Sequence, residues 1–160
     1  MKTSTWKKQD RVNFKAKLKL LCVEIVKGKI DEAKTSMERA QEAANSEGKS
    51  SMGDKYETSK VMGQIDSDRA GLQFFEGKKQ LAQLNQVQID VIYKEVQAGA
   101  FINCGDINYF ILSSIGAKVI DDVKINIIST QAPVATQLLG KKAGDNFTLN
   151  GKEIAIREVF

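Results

Sequence analysis

The ten residues Asn45–Asp54, NSEGKSSMGD, decide how this 160-residue chain folds. Two glycines, three serines and an asparagine within ten positions are a turn composition. The sequence on either side is helical in pattern. From about Thr5 to Glu47, Leu18, Leu21, Ile25, Ala33, Met37, Ala40 and Ala44 recur in steps of three and four, with a weak turn expected around Val26–Lys29 (VKGK). No proline interrupts this stretch, and Lys, Glu, Gln and Ala fill its other positions, as a long helix prefers. After the turn, Val61, Ile65, Leu72 and Phe75 are expected to form the apolar seam of a second helix running to about Leu84. Two long helices joined by a short turn lie antiparallel and seal their seams together. Helices of roughly 35 residues would make a rod on the order of 50 Å long.

From Val87 the hydrophobic period changes from near four to two. VQIDVIYKEV (87–96) alternates, and GDINYFILSSI (105–115) and DDVKINIIST (121–130) also read as strands. QAPVATQLLGKK (131–142) predicts one short helix, with Pro133 in its first turn and Gly140 placed to cap its end. In the closing stretch NFTLNGKEIAIREVF (146–160), Asn150-Gly151 is a two-residue hairpin signal between alternating strands. The expected fold class is therefore α+β. Residues 1–85 form a long antiparallel coiled-coil hairpin with an acidic tip near 47–57, and residues 86–160 form a small domain with a mostly antiparallel sheet.

Composition narrows the function classes. Hydrophobic residues make up 42% and charged residues 28%, as in a soluble globular protein. No apolar run reaches the roughly 20 residues of a membrane span, and MKTSTWKKQDRVNFKAK has no apolar core of a signal peptide. With no His in the chain, a His-based triad, base or zinc site is excluded. Cys22 and Cys104 form no metal-ligand pattern and read as buried thiols in a reducing compartment, which points to the cytoplasm. Lys2, Lys7, Lys8, Arg11, Lys15, Lys17 and Lys19 face only Asp10 among the first nineteen residues. Such a cluster is a solvated helix face or a surface for nucleic acid or an acidic protein.

Within SSMGDKYETSK (Ser50–Lys60), Asp54 and Glu57 stand three residues apart. Asp is a favoured N-cap, and Glu three positions later completes a capping box. The same spacing sets two carboxylates on one face of a first turn, at a protruding tip. Magnesium accepts one or two carboxylates plus water and phosphate oxygens. Such a pair completes a metal site only when another molecule brings the remaining ligands. The residues by themselves leave both readings open.

The order of parts, with GDKYETSK (Gly53–Lys60) and APVATQLLGKKAGD (Ala132–Asp145), resembles the Gre transcript-cleavage factors of bacterial RNA polymerase. The first stretch matches their Gly-Asp-x-x-Glu tip, and the second matches their C-terminal signature. The resemblance implies a C-terminal domain like that of FK506-binding proteins, docked on RNA polymerase through the region of Pro133, Lys141 and Lys142. It implies a coiled coil that enters the polymerase secondary channel. Asp54 would help hold the second catalytic Mg²⁺, shared with the polymerase. Glu57 would orient or deprotonate the water that cuts backtracked RNA, in two-metal phosphoryl chemistry. The protein would activate the polymerase's own hydrolysis, as a monomer, rather than be an enzyme itself.

Departures from the family pattern favour a divergent branch. Ile65 stands where a basic residue is expected eight positions beyond Glu57, Ser50 where one is expected four before Asp54, and Ala132 where Ser usually precedes the proline. Lys49, Lys55 and Lys60 are nearby candidates for contact with the RNA 3′ end. The alternatives are an inhibitory or channel-occupying regulator that does not cleave, and a plain coiled-coil interaction module. A peptidyl-prolyl isomerase would line its cleft with aromatics such as Tyr93, Phe101, Tyr109, Phe110, Phe147 and Phe160, most of which at this spacing read as core. No motif for sequence-specific DNA binding occurs.

Overall fold

Helix α1 spans Lys8–Glu47 and helix α2 spans Gly53–Gln86. The computed structural model describes residues 5–47 and 53–160. The backbone N–H of Lys7 donates to Asp10 Oδ2 at 3.0 Å, the reach-back half of a capping box, and fixes where α1 begins. The turn expected around Val26–Lys29 is absent, and α1 runs straight through it. Gly28 is exposed while Val26 and Ile30 on either side are buried. Their burial outweighs the roughly 1 kcal/mol a single glycine costs a helix.

After α2 come β1 (Phe101–Asn103), β2 (Asn108–Ile111), β3 (Gly116–Ile120) and β4 (Val123–Ile128). Helix α3 (Pro133–Leu138), β5 (Asn146–Leu149), β6 (Lys152–Ala155) and β7 (Glu158–Val159) complete the chain. The main sheet has the order β3-β4-β2-β1-β7 and is antiparallel except for the β2–β4 pair. Strands β5 and β6 form a separate hairpin closed by Asn150 and Gly151, both at positive φ (51° and 77°), as the Asn-Gly signal requires. Gly140, at φ 78°, does not cap α3 as expected: its N–H donates to Val96 O at 2.8 Å, and it takes the glycine position of a turn closed by Lys141 N–H on Leu138 O at 3.0 Å. The chain is thus α+β, a long helical region followed by a mostly antiparallel sheet.

Two compact units emerge: residues 24–82, and the remainder up to Val23 together with Gln83–Phe160. In the second of these, alternation along the strands sends opposite faces of the sheet to different partners. Ile102, Tyr109, Ile111 and Val159 pack with Ala135 and Leu138 of α3 and with Phe147. Phe101 and Phe110 lie across from one another on the other face. There Phe14 of α1 meets Phe101 edge-on at 5.5 Å, and Phe101 stacks on Phe160 at 4.8 Å. Trp6 closes the cluster against Phe14 at 4.8 Å. Five of the six aromatics read from the sequence as core are buried, and Tyr93 is partly so. Leu138 is fully buried, whereas Leu139, also expected in the core, is 38% exposed where the helix has ended.

Segment 87–96, expected as a strand, is not one. It has a single bridge, Glu95 with Lys142. Three of its carbonyls are taken by side chains, and that of Val96 by the backbone N–H of Gly140 at 2.8 Å. Lys15 Nζ donates to Val91 O at 2.6 Å, Lys19 Nζ to Val87 O at 2.7 Å, and Tyr93 Oη to Gln88 O at 3.0 Å. A backbone whose polar groups are satisfied this way has no need of a neighbouring strand.

In the 24–82 unit the expected seam of α2 is on the wrong side. Val61, Ile65, Leu72 and Phe75 are exposed. The protected row is Gly63, Ser67, Ala70, Phe74, Gly77 and Leu81, in steps of four and three. Small residues win because they let α1 come close. A Cβ added at Gly77 would sit 2.7 Å from Ile30 Cγ1. The helices run antiparallel: Ala33 and Ser36 share a groove with Gln73 and Gly77, and Ala43 and Ala44 share one with Ser59 and Gly63. On α1, Ala33 is buried and Met37 and Ala40 are half-buried, as expected, but Ala44 is exposed.

Candidate functional site

Helix α2 begins at Gly53, so Asp54 and Glu57 both lie within its first turns instead of flanking its cap. There the free N–H groups and the positive end of the helix dipole favour negative charge. The side chain of Glu57 is described and that of Asp54 is not. Glu57, Lys55 and Lys60 are exposed. Lys49 and Ser50 fall outside the described residues. The structure therefore brings Lys55, Glu57 and Lys60 together on the first two turns of one helix, in the 24–82 unit. Among the described residues no three acidic or thiol side chains converge as a metal site. A pair of tip carboxylates is incomplete by itself, whatever ion it meets.

The other group of candidate residues belongs to the sheet unit and frames α3. Pro133 is the first residue of the helix and is exposed. Lys141 and Lys142 follow its end. Their backbone is held: Lys141 N donates to Leu138 O at 3.0 Å, and Lys142 N to Asp145 Oδ2 at 2.7 Å. The Lys142 ammonium lies 4.0 Å from Glu95, an exposed pair worth little by itself. Pro133 thus opens one short helix and Lys142 lies four residues beyond its end, both with exposed side chains.

The basic N-terminal cluster has a different use from either reading of the sequence. Arg11 pairs with Glu158 at 2.8 Å and lies 4.9 Å over the Phe160 ring. Lys17 pairs with Asp121 at 2.8 Å. Lys15 is fully buried, donates also to Gly99 O at 3.2 Å, and lies 4.7 Å over the Tyr93 ring. Burial lowers its pKa to about 8, against a smaller opposing pull from Asp90. These cations tie α1 to the sheet and its approach segment. Sequence spacing gave no hint of that, since the acceptors lie 76 to 147 residues away.

Cys22 and Cys104 are buried free thiols, and burial pushes both up to about 11, so neither is a nucleophile at neutral pH. A cleft of about 540 Å³ lies against β3 and β4, lined among others by Ala117, Val119, Lys124 and Asn126. None of its lining residues is aromatic, which gives no support to an isomerase site. No helix among the described residues is long and apolar enough to cross a membrane. No protein-family model matches the chain, and comparison with curated proteins finds no match.

Proposed function

We propose that this protein is a transcription elongation factor of the Gre type, acting on RNA polymerase. Its hairpin enters the secondary channel as an antiparallel coiled coil and carries Asp54 and Glu57 to the active-site Mg²⁺. The polymerase and the RNA phosphate supply the ion's other ligands. Asp54 would hold the loosely bound ion, and Glu57 would orient or deprotonate the attacking water. Lys55, Lys60 and Lys49 are the candidates to meet the RNA 3′ end. The C-terminal unit, proposed to be like the FK506-binding proteins, would dock on the polymerase through Pro133, Lys141 and Lys142. The observation that carries this reading is the position of Gly53-Asp54-x-x-Glu57: it opens the return helix of an antiparallel pair, with Glu57 exposed. A factor so built needs no pocket of its own, because the catalytic metals belong to its partner.

A second reading has its own observation. Ile65, where the family pattern has a basic residue, is 46% exposed and apolar. That favours a regulator that occupies the channel without stimulating cleavage. One experiment separates the two. Asn and Gln keep the hydrogen-bonding capacity of Asp and Glu at a helix start, but they replace carboxylates poorly on magnesium. Wild type and Asp54→Asn/Glu57→Gln are added to stalled, backtracked polymerase with labelled RNA, with helicity checked by circular dichroism. The cleavage reading expects wild type to accelerate shortening of the RNA and the equally helical variant to lose that effect. Binding without any change in cleavage by either protein supports the regulator, and no binding to polymerase ends both readings.

A further inference from the structure

The inner seam of α2 leaves its opposite face unexplained. Val61, Ile65, Leu72 and Phe75 are 58, 46, 66 and 68% exposed. At 100° per residue this row lies half a turn from Gly63, Ala70 and Gly77. A row of large apolar side chains left exposed, interrupted only by Asp68, marks an interaction surface. Its spacing is that of a heptad repeat. Val61 and Phe75 take one core position and Ile65 and Leu72 the other, with Asp68 between them.

We propose that this face is a self-association surface, on which a second copy of the chain docks antiparallel with Val61 of each copy against Leu72 of the other. The flanking charges select that occupant and that direction. In an antiparallel pair like edges meet, so Lys55 faces Glu76 of the second copy and Glu57 faces its Lys78, and the two-fold axis repeats both pairs. In a parallel pair Glu57 would face Met62, and Gly71 would face Glu76, so neither edge gains an ion pair. Among the described residues none of Lys55, Glu57, Glu76 and Lys78 is in an ion pair within its own chain, while Lys34 and Glu38 on α1 do pair. Near the axis Ile65 meets Asp68 of the second copy. Asp68 accepts a hydrogen bond from Gln64 at 2.8 Å and forms a polar layer that fixes register and limits strength. Pairing covers the first turns of α2, so the paired form would withhold them from polymerase. That corollary rests on the function proposed above, but the association does not.

Sedimentation equilibrium of the full chain tests the proposal. Wild type at concentrations on the order of 100 µM should move from 17.7 kDa toward twice that mass, as a small, weak interface allows. Leu72→Glu, on an exposed position that the fold does not use, should remain at 17.7 kDa with unchanged helicity. Lys55→Glu and Glu76→Lys should each weaken association on the order of tenfold, because both lost pairs become repulsions. An equimolar mixture of these two variants should recover wild-type association, since each supplies the charge the other needs. Wild type that stays monomeric throughout, Leu72→Glu that associates as wild type does, or a mixture no better than its parts would each overturn the proposal. A monomeric wild type would leave the cleavage experiment unaffected, so the two failures are distinguishable.

Discussion

The sheet unit and the helical unit spend their apolar residues in opposite ways. In the sheet unit the bulky side chains go inward: Phe101, Phe110 and Phe160 are fully buried, and Phe14 nearly so. In the helical unit the inner row of α2 is largely Gly, Ser and Ala, while Leu72 and Phe75 face out. Large buried side chains give the first unit depth of core. Close approach of two backbones gives the second a thin seam and leaves its large side chains for other partners. Stability and binding surface are therefore concentrated in different parts of one chain.

The comparison can be broken most forcefully at Phe14. Phe14→Ala removes a ring packed on Trp6 and Phe101 and should cost about 3–5 kcal/mol in urea unfolding. Trp6 is the single tryptophan and touches this cluster, so its fluorescence should report the loss. If ellipticity, dominated by the helices, falls at the same urea concentration, the two units unfold as one and the contrast in stability is lost.

Gly77→Val tests the thin seam. Its branched side chain must displace Ile30, and a penalty of about 1–3 kcal/mol is expected from overpacking. An unchanged melting temperature would show that α1 and α2 do not depend on that close approach.

Lys15→Met removes the cation that holds the approach segment to α1. At pH 7.5 it should cost about 1–3 kcal/mol, because the carbonyls of Val91 and Gly99 lose a donor. The pH dependence has a definite sign. A lysine whose folded pKa is lowered from 10.5 to about 8 stabilises the fold above 10.5 and loses that contribution as pH falls through 8. The buried thiols act in the opposite sense, losing their contribution as pH rises from 9 to 11. The difference between wild type and Lys15→Met isolates the lysine and should widen between pH 8 and 10. A constant gap would mean Lys15 titrates as it does in the unfolded chain. The smallest effect is expected at Gly28, where no atom lies within 4 Å of an added Cβ and Gly28→Ala should stabilise by about 1 kcal/mol.

Much of the fold was legible because its signals are local. Gly140 after α3 and Asn150-Gly151 each need a particular backbone conformation that few residues supply, whereas the turn expected within 45–54 falls on 48–52, outside the described residues. The α2 seam was misread because apolar periodicity counts bulk. Gly63, Ala70 and Gly77 contribute little hydrophobicity, yet they set the helix separation. Segment 87–96 alternates as a strand does, and nothing nearby in sequence shows that Lys15 and Lys19 will take its carbonyls. Strands β1, β3 and β7 have two to five residues and are held by register to distant partners, so they carry little signal of their own. At the candidate site, Asp54 and Glu57 could be read from a motif, and the exposure of Glu57 and the apolar face behind it could not.

Arg11 and Glu158 are 147 residues apart, yet they meet beside Phe160. On a ribosome working at roughly 5–20 residues per second, this contact imposes an order of events. Residues 24–82 emerge with all their helix partners and can pair at once. Phe14 emerges earlier still and has Trp6 beside it, but its partner Phe101 and then Phe160 come only when β1 and the stretch after β7 have been made. For that interval the first turns of α1 are an apolar, lysine-rich helix with no sheet beneath it. The nascent chain is thus most exposed to chaperones and to aggregation at the segment that holds Phe14.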